Sequence, residues 1–439
     1  MNLNKRRILY SFFIFLFFLI APLLILYSLG YRYDFVKGSL EKIGVLFIKS
    51  YPKSANIFLN NKLQANKTPT QIVNLISNTY DVRIEKEGYH TWQKNLEVRP
   101  QETTFAEEVT LFKNNLEYIN LLEGEYINIL ASLNYEKVAL IKKDNLNEKL
   151  EIYKISENKS KEIFTGNKLE LIKWTQTNQK LIIKNNYDYL IINSETNNVI
   201  SLFELTGYYF DELKPDYFND NIYYGLNNNR LYKIDLLENK VTQISKEFIL
   251  AFESWKTKLL YITSINNKYI LKTYLNNEST ELLVLPNSKN YKFIPSDKNL
   301  IALLDLDENI LYLLEPDNNE QPFKNYIKNV NNLDWHNDYL VYYNNSEIWT
   351  YFPEHNHAIL LERTVNNLTN AFWHPGLVNV FGIIDNTLKI YELDSRDRRN
   401  IFDLLNLTND NLFIDKKGDK LYLLTEHNNQ KGFFKIEIQ

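Results

Sequence analysis

Two short stretches hold the side chains that could bind a metal ion. His355-Asn356-His357 offers two imidazoles, with Glu354 as the one neighbouring carboxylate. Asp305-Leu306-Asp307-Glu308-Asn309 sets oxygen ligands at alternate positions, as the start of a calcium loop does. The glycine and distal glutamate that complete such a loop are missing. Both stretches fall in polar turns of a repeat described below, so solvated turns are the expectation for each. Gly-x-Ser-x-Gly, a glycine-rich phosphate loop and His-Glu-x-x-His do not occur. Cysteine is absent, which excludes disulfides, a thiolate nucleophile and a cysteine metal site. The sequence therefore assigns no catalytic, cofactor-binding or metal-binding residue, and no cofactor.

The tryptophans are the next candidates. Trp174, Trp255, Trp335 and Trp373 share one position of the repeat, which predicts packing in a core or between units rather than a ligand platform. Trp92 and Trp349 lie elsewhere and are expected to be exposed.

The element that positions all of these is a period. Ser132, Trp174, Asp216, Trp255, Ser296, Trp335, Trp373 and Asp415 mark one recurring place, at steps of 42, 42, 39, 41, 39, 38 and 42 residues. After each anchor comes a short apolar run, such as Lys180–Lys184, Lys258–Thr263 or Lys420–Thr425. An Asn- or Asp-containing turn follows, as at Asn185-Asn186, Asn266-Asn267 and Asp385-Asn386. Asn and Asp tolerate the positive φ of tight hairpins. A third alternating run and a shorter fourth complete the unit. A period near forty built of four strands predicts a β-propeller blade, and a row of β-sandwich domains would not keep so even a step.

The eighth unit has only three runs, ending at Gly432–Ile438. A spare run, Leu116–Leu121, stands just before the first unit. An open sheet edge invites aggregation, so residues near 116–121 are predicted to supply the outer strand of the last blade. The expected fold is all-β: an eight-bladed β-propeller closed by an N-terminal strand.

Upstream, Lys5-Arg6-Arg7 precedes Ile8–Leu29, a stretch without a charge. As a helix it spans roughly 30 Å, enough for a hydrocarbon core. The basic cluster predicts a cytoplasmic N-terminus and export of the rest. Ser28-Leu29-Gly30 would serve as a cleavage site, but the apolar run is longer than a signal peptide needs. The predicted organisation is a cytoplasmic tail at 1–7, a transmembrane signal anchor at 8–29, a juxtamembrane linker at 30–43, a small β domain at 44–112 and the propeller at 113–439. The whole chain, 439 residues with a formal net charge of −4, has globular composition, and its small mixed charge argues against nucleic acid.

The small β domain carries Gly44, the turn Ser50-x-Pro52-x-x-Ala55, Thr68-Pro69 and Glu87-Gly88-Tyr89. With these residues it resembles the PEGA domain family. The tetrapeptide reads Pro52-Lys53-Ser54-Ala55, Lys67 replaces the usual glycine before Thr-Pro, and Asn60-Asn61 replaces an Asp-Gly hairpin. The resemblance implies a small exported β-sandwich of bacterial envelope proteins, and it brings no catalytic residues. The expected function is a membrane-anchored, extracytoplasmic binding or scaffold protein, with an envelope protein or a glycan as partner. An exported propeller hydrolase or lyase, and a subunit of an envelope assembly complex, are the alternatives. The ligand, the process and the oligomeric state are not legible in the sequence.

Overall fold

The computed structural model describes residues 3–35, 38–296 and 298–439, and of Leu3–Lys5 the backbone only. Met1 and Asn2 of the predicted tail, the Lys5 side chain, and Val36 and Lys37 of the predicted linker lie outside the described residues. The chain forms two compact units. Unit 1 holds Met1–Asn115 with Glu392–Phe402 and Gln439; unit 2 holds Leu116–Tyr391 and Asp403–Ile438.

Unit 1 starts with the helix Leu3–Ser28, which contains Pro22. Its stretch Arg6–Ser28 is long and apolar enough to cross a membrane. Large side chains along it, Phe15 and Phe18 among them, are exposed. Water would penalise that surface heavily.

After the helix, the described residues up to Asn115 form two four-stranded sheets. In one, Ser39–Tyr51 pairs with Tyr31–Asp34, with Thr70–Ile76 and, in parallel, with Thr103–Thr110. The other runs Lys62–Leu63, Asn56–Leu59, Asn78–Glu85, Trp92–Val98. Alternate residues of both, including Leu46, Ile48, Ile57, Val82, Ile84, Leu96 and Val98, share one core.

The short sequence signature of this unit has a physical basis. Ala55 N–H donates to Thr68 Oγ1 at 3.0 Å, Thr68 and Ser50 hydroxyls meet at 2.6 Å, and Ser50 Oγ donates to the Pro52 carbonyl at 2.8 Å. One buried chain of hydrogen bonds thus ties the two turn motifs together. Gly44 is required by close approach: a Cβ there would sit 2.2 Å from the Arg99 carbonyl oxygen. Asn60 and Asn61 both have positive φ, at 47° and 64°, the conformation a two-residue hairpin needs.

Trp92–Val98 is an edge strand of its sheet, and Glu392–Phe402 covers it. Asp397 accepts from Asn95 N–H at 2.9 Å. Lys94 is fully buried. Its ammonium donates to the carbonyls of Asp394, Arg396 and Arg398 at 2.7, 3.2 and 2.9 Å and pairs with Glu392 at 3.0 Å. Trp92, expected to be exposed, is 2% exposed. Its Nε1–H donates to Glu392 at 2.6 Å. A fully apolar pocket could not hold the ammonium; three carbonyls and a carboxylate can. Trp349, also expected to be exposed, is half-buried and stacks on Tyr342.

Among the described residues unit 2 forms eight four-stranded sheets in chain order. The first runs Tyr126–Ala131, Lys137–Asp144, Asn147–Lys154, Lys159–Gly166; the next six repeat that order. The Asn-rich hairpins adopt positive φ at Asn145, Asn186, Asn228, Asn229, Asn266, Asn267, Asn309, Asp385, Asn386, Asn428 and Asn429. The eighth sheet joins Leu412–Ile414, Lys420–His427 and Gln430–Glu437 to Tyr118–Glu123. Ile436 faces Tyr118 and Gly432 faces Glu123, so the strand lies slightly later than 116–121. A register shift between third and fourth strands recurs at Leu150/Glu151, Leu231/Tyr232, Leu271/Lys272, Leu313/Leu314 and Ile348/Trp349. The same shift occurs at Phe433/Phe434 against Tyr118–Glu123. The strand from before the first sheet therefore stands where a fourth strand stands elsewhere. A bulge also adds local twist, so its recurrence keeps the sheets alike in shape.

Successive sheets pack face to face. Ala139 and Ile141 of the first share a core with Leu181 and Ile183 of the second. Ile182 and Ile191 of the second share one with Tyr223 and Ile234 of the third. Tyr422, Leu424 and Phe433 of the eighth pack with Val138, Leu140 and Tyr153 of the first. A chain of four-stranded sheets stacked in this way is a β-propeller arrangement.

Two outcomes follow from these contacts. Lys94→Met leaves Glu392 buried without its cation, a loss on the order of 3 kcal/mol. Amide exchange in Trp92–Val98 and in 392–402, read by mass spectrometry, should then accelerate about 100-fold; unchanged protection refutes the role given to Lys94. Deleting Tyr118–Glu123 exposes the edge of Gln430–Glu437. The shortened chain should aggregate and lose exchange protection throughout that strand; a soluble, equally protected chain refutes the pairing.

Candidate ligand-binding site

The first strand of every sheet in unit 2 ends beside one cavity of about 1010 Å³. Its wall takes Ala131, Trp174, Pro215, Ser254, Pro295, Trp335, Trp373 and Ile414 from the eight sheets in turn. Six of the repeat anchors line it: Ser132, Trp174, Asp216, Ser296, Trp335 and Trp373. The position that set the period in the sequence is the position that builds this wall.

The tryptophans there bind one sheet to another. Trp174 Nε1–H donates to the Leu130 carbonyl of the preceding sheet at 3.2 Å. Trp335 donates to Ile294 O at 3.0 Å and Trp373 to Tyr339 O at 3.2 Å, again on the preceding sheet. Trp174, Trp255 and Trp373 are buried, and Trp335 keeps part of its surface. Packing between units is therefore their main role, as their shared position predicted.

Short polar bridges repeat the same link. Thr175 Oγ1 donates to Asp220 at 2.9 Å, Ser296 Oγ donates to Asp338 at 2.7 Å, and Tyr217 N–H donates to Ser254 Oγ at 2.9 Å. Between the seventh and eighth sheets His374 takes this place. Gly376 N–H donates to its Nδ1 at 3.0 Å, so Nε2 carries the proton and donates to the Gly418 carbonyl, 3.3 Å away. Burial pushes the imidazole down to about 4, the Gly418 carbonyl and Asp419 pull the other way, and His336 adds to the lowering. Gly418 lies at φ +83°, and a Cβ there would meet His374 Nε2 at 2.2 Å. Only glycine fits under that ring.

Carboxylates do reach the wall, but each is committed. Asp216 accepts from Phe218 N–H, Asn219 N–H and the Tyr224 hydroxyl at 3.0, 2.9 and 3.2 Å. Asp334 accepts from Trp373 N–H at 2.9 Å. Buried Glu253 takes the Lys214 ammonium at 2.7 Å. Burial alone would lower the Lys214 pKa, but the Glu253 and Glu212 carboxylates outweigh it and hold it above the ordinary value. These acids shape the wall.

The cations differ. Lys173 and Lys416 line the cavity and are exposed. Beside them stand the half-buried rings of Tyr135, Tyr217, Trp335, Phe372 and Phe413. Gln176 and Asn178 supply side-chain amides. Such a wall of rings, with a few polar groups to orient a ligand, suits binding. Neither lysine was singled out in the sequence. Their signal was there: Lys173 directly precedes the Trp174 anchor and Lys416 directly follows Asp415.

The two metal-like stretches lie away from this wall. His355 and His357 sit exposed at the turn between Glu347–Phe352 and His357–Arg363. Asp305 is buried, accepting from Ser288 Oγ at 2.6 Å and from Asp307 and Glu308 N–H at 3.1 and 3.2 Å. Asp307 accepts from Lys289 N–H and Asn290 Nδ2 at 3.0 and 2.5 Å. These oxygens hold a hairpin. Among the described residues no group of three or more His, Asp or Glu is placed to hold a metal ion.

Fold and cavity together define a β-propeller protein. Residues 43–115 match the PEGA domain family, in agreement with the resemblance carried by Gly44, Pro52, Ala55 and Thr68-Pro69. Among solved structures the chain is similar to a eukaryotic initiation factor, at 10% identity over 72% of this chain and 89% of that one, with a TM-score of 0.51. It is also similar to Porphyromonas gingivalis dipeptidyl peptidase 4, at 10% identity, 70% and 56% coverage and a TM-score of 0.49. The β-propeller domain of Myceliophteria thermophila Cps50 (Swd1) aligns at 10% identity, 64% and 99% coverage and a TM-score of 0.45. At such identities the likeness concerns fold alone. No curated protein matches the chain.

The buried histidine makes stability depend on pH. Its folded value, about 4, lies below the ordinary 6.5. The unfolded chain therefore binds the proton first, and stability falls as pH drops from about 6.5 through 4. The full loss is on the order of 3 kcal/mol. His374→Asn keeps the acceptor for Gly376 and removes the titration. Urea midpoints of the wild type should fall over this window by more than those of the variant; parallel profiles refute the assignment.

Proposed function

We propose that this chain is a membrane-anchored, extracytoplasmic binding protein whose ligand enters the cavity of its propeller. The observation that carries the reading is the cavity wall: half-buried rings, amides and two exposed lysines, with the acids engaged in structure. In this reading residues 8–29 anchor the chain, 1–7 stay in the cytoplasm, 30–43 link, 44–112 form the PEGA domain and 113–439 the propeller. The eight sheets are the blades of one closed ring, sealed by Tyr118–Glu123 in the eighth. Three things support closure: the eighth sheet shares a core with the first, all eight sheets contribute to one cavity, and Tyr118–Glu123 repeats the fourth-strand register shift. The charge-free stretch Ile8–Leu29 and the basic residues just before it support the anchor and its orientation. The partner is an envelope component, a protein or a glycan.

The lack of cysteine makes a clean test available. A single cysteine at Gln176→Cys reports on the cavity wall, and one at Leu146→Cys, 95% exposed in a hairpin, reports on the outside. A membrane-impermeant maleimide should label both in intact spheroplasts; labelling only after lysis overturns the orientation. Fractionated envelope saccharides and peptides should include one that slows labelling at 176 and leaves 146 unchanged. Equal rates at both sites with every fraction overturn the cavity as a binding site.

A further inference from the structure

The wall of the cavity also narrows the ligand, on the reading that this is a binding site. The charges there are unequal in availability. Asp216, Asp334 and Glu253 are each held by hydrogen bonds or an ion pair within the fold. Lys173 and Lys416 are exposed at the same wall, and neither has a carboxylate partner among the described residues. An arriving anion thus meets two exposed cations with no carboxylate partner among the described residues, and charge-assisted hydrogen bonds are the strong ones. Low-dielectric walls concentrate such a field inside a cleft.

The remaining lining selects among anions. Tyr135, Tyr217, Trp335 and Phe413 present partly exposed rings. Gln176, exposed, lines the same cavity. A pyranose has a C–H-rich face that packs on a ring and a rim of hydroxyls that pairs with amides. An extended peptide relies instead on main-chain bonds to a sheet edge. We infer that the cavity takes an acidic saccharide of the uronic-acid class, its carboxylate drawn to Lys173 and Lys416 and its sugar faces laid on these rings.

The test uses the full chain in nanodiscs and three probes: hyaluronan hexasaccharide, the same hexasaccharide with its carboxyls reduced, and hexaglutamate. The acidic hexasaccharide should bind at least tenfold more tightly than the reduced one, with a gap that narrows as salt rises. The double variant K173Q/K416Q should close the gap, weakening the acidic hexasaccharide at least tenfold more than the reduced one. Trp335→Ala should weaken both saccharides. Equal binding of acidic and reduced forms overturns the inference and leaves the cavity as a binding site. Binding of hexaglutamate alone overturns the saccharide class and again spares the cavity. Saccharide binding that ignores K173Q/K416Q and Trp335→Ala overturns both. Silence from all three probes overturns the inference, and protection of the cysteine at 176 then decides the cavity reading separately.

Discussion

Each sheet of unit 2 has two apolar faces, and no sheet can bury both by itself. Its central strands alternate at every residue: Leu181 and Ile183 turn one way and Ile182 the other. Leu259 and Tyr261 face the third sheet, while Leu260 and Ile262 face the fifth. Leu303 packs backward, and Ala302 and Leu304 pack forward. A chain of such sheets is stable only when every one has a neighbour on both sides, since an unburied face would forfeit the apolar contribution of several large side chains. The eighth sheet shares a core with the first, as its neighbours do with theirs. The cavity is a by-product, because sheets that pack by their faces bring their first strands to one place. What the cavity can bind then depends on which side chains the packing leaves uncommitted.

Much of this could be read from the residues because it is set locally. The step of about forty, the asparagine turns and the strand preceding the first unit all rest on short-range chemistry. A positive-φ hairpin favours Asn, Asp or Gly, so the turns at Asn266-Asn267 and Asn428-Asn429 could be placed without coordinates. The PEGA-like motif was legible for the same reason: Ser50, Ala55 and Thr68 are close in sequence and meet in one hydrogen-bonded chain.

What escaped the sequence depends on contacts made across hundreds of residues. Trp92 looked free because it lies outside the repeat position that predicts packing; its acceptor is Glu392, three hundred residues later. Lys94 shares the buried face of its strand with Trp92, Leu96 and Val98, and the partners that make its burial possible are the carbonyls of a segment three hundred residues later. The acids of the cavity posed the reverse problem. Asp216 and Glu253 could not be told from catalytic carboxylates until their donors were visible. Lys173 and Lys416 gain meaning only by contrast with those acids.

Tyr118–Glu123 also orders events in time. It is made before any other strand of unit 2, and its partner, Gln430–Glu437, is among the last. Until that partner emerges, the earlier strand has no pairing place in any of the seven preceding sheets, each of which already has four strands of its own. Closing a loop of this length costs only slightly more entropy than closing a shorter one, but the search for such a distant pairing is slow. Throughout synthesis and any crossing of the membrane, an unpaired apolar strand must be kept from other chains. A cell making this protein therefore has a waiting period to manage, and its length is set by how fast the last repeat is delivered.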